Sequence, residues 1–568
     1  MKKIFKYILI GAVIVSGTSC KKYLDINDNP NSPTESTPTL ILPQAIVGAA
    51  AMTNTYNLNL ADQGGQRANA GGFGGFGEVV TYQYTNDSFA SLWTSVYNNA
   101  KDFQYVITQT EGDASMANYA AIAKIMKAFD FSKLVDQFND VPYTEAFKGA
   151  ELNFTPVYDK GPDVYKSLIG LLNEAITQIN DAKAAEAATP RSITAVVASS
   201  DPMYAGNMDR WIRFANTLKL KMLVKMAGVA ELQSFTTPEF AKLPTAVSSY
   251  ITDDAVVNPG YSIQEGKRNP TYNNLAYLAN GNRPITSRIA TKWMLSFYGN
   301  PIAGTAKITD PFRSRAIYQG ATATALTSVR SNQLGDESSS VPTAPSAATA
   351  WYSGGTSGNE NAIGVAKGAG QAQPIMLLAE AKFLQAEAAL RNYIVIGAGA
   401  STLFDEGISA SFTYLYKNAK GSVDASKIFL WQIPDPENPG QTITDQTRSL
   451  KGDVATYKTL NETNPLVNYN LATSFDQRLE AIITQKYIAL NMVSNDEALS
   501  EFRRTAYPKI VEGSLLPTAT FASRQSTSPR ADKLTTRALY PQSEFNLNPK
   551  NVPTGISQFT SRIFWDLN

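Results

Sequence analysis

The sequence predicts a mainly α-helical protein with a loop-rich, irregular part, and three observations carry that prediction. Apolar residues recur at spacings of three and four through much of the chain, which is the period of one face of an α-helix. These stretches come in neighbouring pairs, as helical hairpins of the tetratricopeptide kind do. Between them lie long segments rich in Gly, Ser, Thr and Asn, notably Asp62 to Gly77, Leu232 to Asn282 and Gly320 to Gln373. Loops of that length inside a folded protein usually serve function.

The helices follow in order. Ser88 to Gln109 places Phe89, Leu92, Trp93, Val96, Phe103 and Val106 on one face. Ala114 to Phe138 repeats the pattern with Tyr119, Ile122, Met126, Phe129 and Leu134. A third helix starts at Pro162, with Asp163 beside the positive end of the helix dipole, and runs to about Ala185. A fourth covers Asp209 to Ala227, and Ile375 to Arg391, Asp405 to Lys417, Phe475 to Asn491 and Asp496 to Arg503 complete the set. Glu78 to Tyr84 has strand character. Trp211, among Phe214 and Leu218, is expected to be buried, as is Trp93.

The N-terminus reads as an export signal. Lys2, Lys3 and Lys6 precede the short apolar run Tyr7 to Val15, and Ser16-Gly17-Thr18-Ser19 lead to Cys20. Residues 1–19 are therefore expected to be a signal peptide, since the apolar run is too short to span a bilayer permanently. Cys20, the one cysteine of the chain, stands where a bacterial lipobox places its lipidated residue. Acyl chains on Cys20 would give stable membrane anchoring. Residues 20–40, rich in Asn, Asp and Ser/Thr with Pro30, Pro33 and Pro38, read as a tether. Residues 41–568 form the body, although length alone allows two to four domains.

Composition excludes several chemistries. There is no histidine, so Ser-His-Asp and Cys-His nucleophiles and His-ligated metals are ruled out. A lone cysteine permits neither an intrachain disulfide nor a cysteine metal cluster. The net charge of +1 gives no electrostatic case for nucleic acid. No cofactor is expected, although the composition leaves room for a structural cation.

Two motifs invite catalytic readings. Gly72 to Gly77 spells the G-x-G-x-x-G of dinucleotide sites, but a polar stretch precedes it and no helix-forming run follows. It reads as a flexible loop presenting Phe73 and Phe76. Glu380 and Glu387 lie seven residues apart on one helix face, about 10 Å by helical rise. Hydrogen bonding between packed helices suits them better than the paired carboxylates of a glycosidase. The candidate ligand residues are instead on the loops: Phe73, Phe76, Tyr82 and Tyr84, with Arg67 and Asn86 as polar partners, and Trp351 and Tyr352 in the later insertion. Large aromatics in so polar a segment need a partner, whether the protein body, another protein or a ligand.

Several segments, in order, resemble the SusD/RagB family. They are Leu134-Val135-Asp136-Gln137-Phe138-Asn139-Asp140-Val141-Pro142-Tyr143-Thr144-Glu145-Ala146, with Asn139 where the family usually has Gly; Arg210 to Leu220; Leu377 to Ala381 with Ala386-Glu387-Ala388; Gln485 to Leu490; Glu501 to Pro508; Arg537 to Pro541; and Phe564-Trp565-Asp566. The resemblance implies a helical fold with tetratricopeptide-type hairpins. It also implies an outer-membrane, surface-exposed lipoprotein without enzymatic activity. Such a protein binds a glycan or peptide and acts as the lid of a SusC-like TonB-dependent transporter. The alternatives from other classes are a surface glycan-degrading enzyme using paired carboxylates and a structural or adhesive surface protein.

Overall fold

The computed structural model describes residues 36–299, 306–321, 326–346, 349–353, 362–423, 432–434, 442–444 and 450–568. Nine helices organise it: α1 (Pro38–Leu60), α2 (Ala90–Gln109), α3 (Ala117–Phe138), α4 (Gly161–Ala188), α5 (Met208–Met226), α6 (Leu378–Leu390), α7 (Ala400–Tyr416), α8 (Phe475–Leu490) and α9 (Asn495–Thr505). Helix α2 packs on α1 and α3, α3 on α4, and α4 on α5. After the long middle of the chain, α6 pairs with α7 and α8, and α9 packs on α8 and back on α1.

The apolar periodicity maps onto these contacts. Leu92, Trp93, Val96, Phe103 and Val106 of α2 are all buried. Helix α3 is buried on nearly every side, which is the signature of a helix enclosed by others. Trp211 of α5 is fully buried and donates its indole N–H to Asp201 Oδ2 at 2.8 Å. Trp93 is buried edge-on to Phe138 and Tyr540. Asn139, at the C-terminal end of α3, has φ +63°, a conformation asparagine adopts more readily than most residues. Its Oδ1 accepts from Phe564 N at 2.7 Å, tying the end of the chain to α3.

The helical expectations hold to within a few residues, with three corrections. Helix α1 begins at Pro38, so the expected tether ends inside a helix. Its buried face alternates large residues (Leu42, Ile46, Tyr56, Leu60) with Ala49, Ala50, Asn54 and Asn57, which dilutes the apolar period. The Ile375–Arg391 stretch is divided: Gln373–Met376 is a strand and the helix starts at Leu378. Glu78–Thr81 is a single helical turn rather than a strand, ended by Tyr82 in the left-handed region at φ +60°.

Strands are few among the described residues. β1 (Arg67–Asn69) pairs antiparallel with β3 (Arg288–Thr291), which pairs parallel with β4 (Ser331–Asn332). β2 (Ala255–Val257) pairs antiparallel with β5 (Gln373–Met376). These short pairings pin the long loops to the helical body. Cys20 and the expected signal peptide lie outside the described residues. Among the described residues, no helix is long and apolar enough to cross a membrane.

Candidate ligand-binding surface

The three-stranded sheet gathers loops from distant parts of the chain around the Gly71–Gly77 turn. Ala70 N donates to Ser287 O at 3.0 Å and Gly71 N to Pro342 O at 2.9 Å. A Cβ on Gly71 would sit 2.0 Å from Val341 O, so only glycine lets the two loops approach so closely. Gly75, at φ +76°, has no atom near where a Cβ would be. The tip of the turn therefore stands clear of the body.

Phe73 projects from this turn and is 46% exposed. Phe76 is half-buried beneath the Arg288 guanidinium, whose Cζ lies 4.8 Å from the ring centroid. Asp62 fixes that arginine. Its Oδ2 accepts from Arg288 Nε at 3.1 Å, while its Oδ1 accepts from Arg67 Nε at 3.1 Å. Arg67 also donates to Leu58 O at 2.6 Å. A carboxylate between two arginines holds a planar cation against an aromatic face at the edge of the exposed turn. Flat apolar surface beside fixed donors is the chemistry that stacks on a sugar ring and hydrogen-bonds its hydroxyls.

The other expected ligand residues divide by burial. Tyr82 is fully buried, its hydroxyl accepting from Ser523 N at 3.2 Å. Tyr84 is buried against Phe89, with ring centroids 4.7 Å apart. Trp351 is fully buried in an isolated antiparallel bridge with Tyr318. Arg67 is buried in its pair with Asp62. Expected as loop aromatics and a polar partner facing ligand, these four are enclosed by the protein. The three aromatic side chains turn inward where apolar burial is favourable, and Arg67 is held inside by Asp62 and Leu58 O. Asn86 reaches the surface only in part and donates to Tyr540 O at 2.6 Å. Tyr352 is half-buried, with its N–H bonded to Ile317 O at 2.9 Å.

Asp62 and Arg288 escape a sequence reading. They come together from positions far apart in the chain, and no local motif marks either. The two glutamates considered as a catalytic pair are instead structural. Glu380 pairs with Lys221 at 2.9 Å, and Glu387 with Arg391 at 2.7 Å and Arg504 at 2.6 Å. Burial alone would raise the Glu387 carboxyl, but Arg504 and Arg391 together outweigh it and hold it down at about 2. That leaves it without a proton to give as a general acid. Among the described residues no cluster of acidic or cysteine side chains is arranged to hold a metal.

Comparison with known proteins agrees with the fold. A SusD-like family model, described as "Starch-binding associating with outer membrane", matches residues 30–541. A SusD homologue from Bacteroides fragilis has a TM-score of 0.62 at 20% identity, covering 94% of this chain and 99% of that one. A chitin-binding SusD homologue from Flavobacterium johnsoniae has a TM-score of 0.59 at 21% identity, with coverage of 92% and 99%. A SusD/RagB family protein from Bacteroides thetaiotaomicron has 0.63 at 18%, with 94% and 99% covered. No curated protein sequence matches. With a family model spanning most of its length and the same helical architecture as these structures, the chain belongs to the SusD-like family.

Proposed function

We propose that the protein is a cell-surface outer-membrane lipoprotein, anchored through Cys20, that captures an oligosaccharide and passes it to a SusC-like TonB-dependent transporter as that transporter's lid. The observation that carries the ligand-binding part is the exposed Phe73 beside the Phe76–Arg288 stack, on a turn held clear of the body. The family description names starch, and one structural neighbour is described as chitin-binding. Neutral chains of α-linked glucose or β-linked N-acetylglucosamine are therefore the ligand class to try before peptides. An enzymatic reading finds little support, because Glu380 and Glu387, the helix-spaced pair considered above, are committed to lysine and arginine.

The test is incubation of the purified protein with maltooligosaccharides and chitooligosaccharides, followed by chromatography of the sugars. Retention on the protein with chain length unchanged is expected. Bond cleavage at a catalytic rate would overturn the reading.

A further inference from the structure

A second cleft lies between the end of α9 and the last segment of the chain, with Gln63 and Tyr82 also on its wall. Its volume is ≈ 360 Å³, and Arg503 and Asp566 both line it, with Phe502, Ile510 and Leu534 supplying apolar wall. That size sits at the small end of the range for small-molecule pockets.

Neither of the two charged groups has an ion partner among the described residues. Arg503 is almost wholly buried, yet its guanidinium has no carboxylate within 4.0 Å among the described residues. It donates to Gln137 Oε1 at 3.0 Å and, at a long 3.5 Å, to Gln63 Oε1. Its Nε has no acceptor among the described residues. Gln63 Oε1 is already engaged by Thr535 at 2.7 Å. Asp566 is equally buried, and among the described residues its carboxylate accepts only from Asn568 N, at 3.1 Å. Two other cations of the cleft do have carboxylate partners: Arg530 grips Asp532 through two nitrogens, and Lys509 pairs with Glu480 at 2.9 Å. Burying a charged group without a full set of partners costs several kcal/mol, so the gap calls for a polar occupant.

We infer that this cleft is a second saccharide subsite, in which hydroxyls of one or two sugar rings accept from Arg503 and donate to Asp566 while the ring faces rest on the apolar wall. A hydroxyl is suited to the task because it is donor and acceptor at once. A neutral polyol fits better than an anion, because Asp566 would repel a carboxylate placed against Arg503. Burial lowers the arginine to about 10 and raises the carboxyl above its ordinary value, with each group opposing the other's shift. The two ions therefore sense each other across the cleft without touching. This inference rests on the sugar-binding reading above and adds a site separate from it.

The experiment is titration of the full chain with maltose and with N,N′-diacetylchitobiose, followed by saturation-transfer NMR and calorimetry. Four proteins are compared: wild type, the Phe73→Ser/Phe76→Ser double variant, Asp566→Asn, and Ile510→Trp, which enlarges a half-buried apolar wall residue and leaves both charged side chains in the sequence. The double variant is expected to keep a weak site for one of the disaccharides. Asp566→Asn and Ile510→Trp, each with the Phe73 surface intact, are expected to weaken the second of the two wild-type sites at least ten-fold. If the double variant loses all binding and neither cleft variant changes it, the second subsite is wrong and the Phe73 surface stands. If binding survives the double variant undiminished and disappears in the cleft variants, the cleft stands and the Phe73 surface falls. Absence of binding by wild type, with either sugar, overturns both.

Discussion

Lys221 Nζ lies 2.7 Å from Glu497 Oε2, where α5 meets α9 in the interior. Glu497 also receives Lys225 at 3.0 Å, and Lys225 reaches Asp136 of α3 at 2.7 Å. Lys486 of α8 adds a contact to Glu501 at 3.2 Å, and Glu501 pairs with Arg504 at 2.5 Å. Helices α3, α5, α6, α8 and α9 are thus joined by one buried chain of alternating charge. Several residues of this chain belong to the segments that carried the family resemblance, which explains why those segments identify a scaffold rather than a ligand.

Removing one member of the network leaves cations without a partner in the interior. Glu497→Gln is expected to cost about 3–5 kcal/mol, the usual effect of breaking a buried pair from one side. Denaturant unfolding at neutral pH measures it. A loss below about 1 kcal/mol would mean the lysines find other partners.

Acid should act through the same carboxylates. Burial alone would raise Glu497, but Lys221, Lys225 and Lys486 hold it well below its ordinary value, and Glu387 is held at about 2. A depressed folded-state pKa gives stability that is complete above the unfolded value, 4.5, and is lost as pH falls toward the folded one. The stability difference between wild type and Glu497→Gln should therefore be constant from pH 7 to about 5 and shrink progressively below about 4.5. Taking the difference removes the opposing effect of Asp130, whose burial raises its pKa. A gap that stays constant down to about pH 3 would contradict the assignment.

Trp211 tests the separation of scaffold from site. Trp211→Ala is expected to lose about 3–5 kcal/mol of stability, together with the indole bond to Asp201. Sugar affinity measured below the melting transition should not change. Intact melting with lost sugar binding would place Trp211 in the site instead.

How much of this was legible in the sequence depended on periodicity. Helices α2 to α5 and α7 to α9 show their apolar stripes, so their positions could be read directly. Helix α1 could not, although Leu42, Ile46, Tyr56 and Leu60 mark its buried face, because Ala49, Ala50, Asn54 and Asn57 stand between them on that face and dilute the apolar stripe. The site was legible only as composition. A glycine-rich turn carrying two phenylalanines is visible in one dimension, and Phe73 is indeed exposed. Whether Tyr82 or Trp351 faces in or out is not, because the answer depends on partners such as Ser523 and Tyr318 that lie far away or in another irregular segment. The same distance hides the bridge from Asp62 to Arg288 and the facing of Arg503 by Asp566.

Anchoring is tested at Cys20. Cys20→Ala, expressed in the absence of any partner barrel, is expected to move the protein from the membrane fraction to the soluble fraction. Undiminished membrane retention would refute lipidation at this residue.

The most direct test of the central claim is calorimetric titration of the purified protein with maltoheptaose and chitohexaose, comparing wild type with Phe73→Ala and Trp351→Phe. The account predicts binding of one of the two sugars. Phe73→Ala should weaken it about ten-fold, near 1.4 kcal/mol, because a ring exposed on the turn is lost. Trp351→Phe, in the interior, should lower the melting temperature and leave affinity unchanged. Affinity that is indifferent to Phe73 and abolished by Trp351→Phe in a folded protein would contradict the site as described.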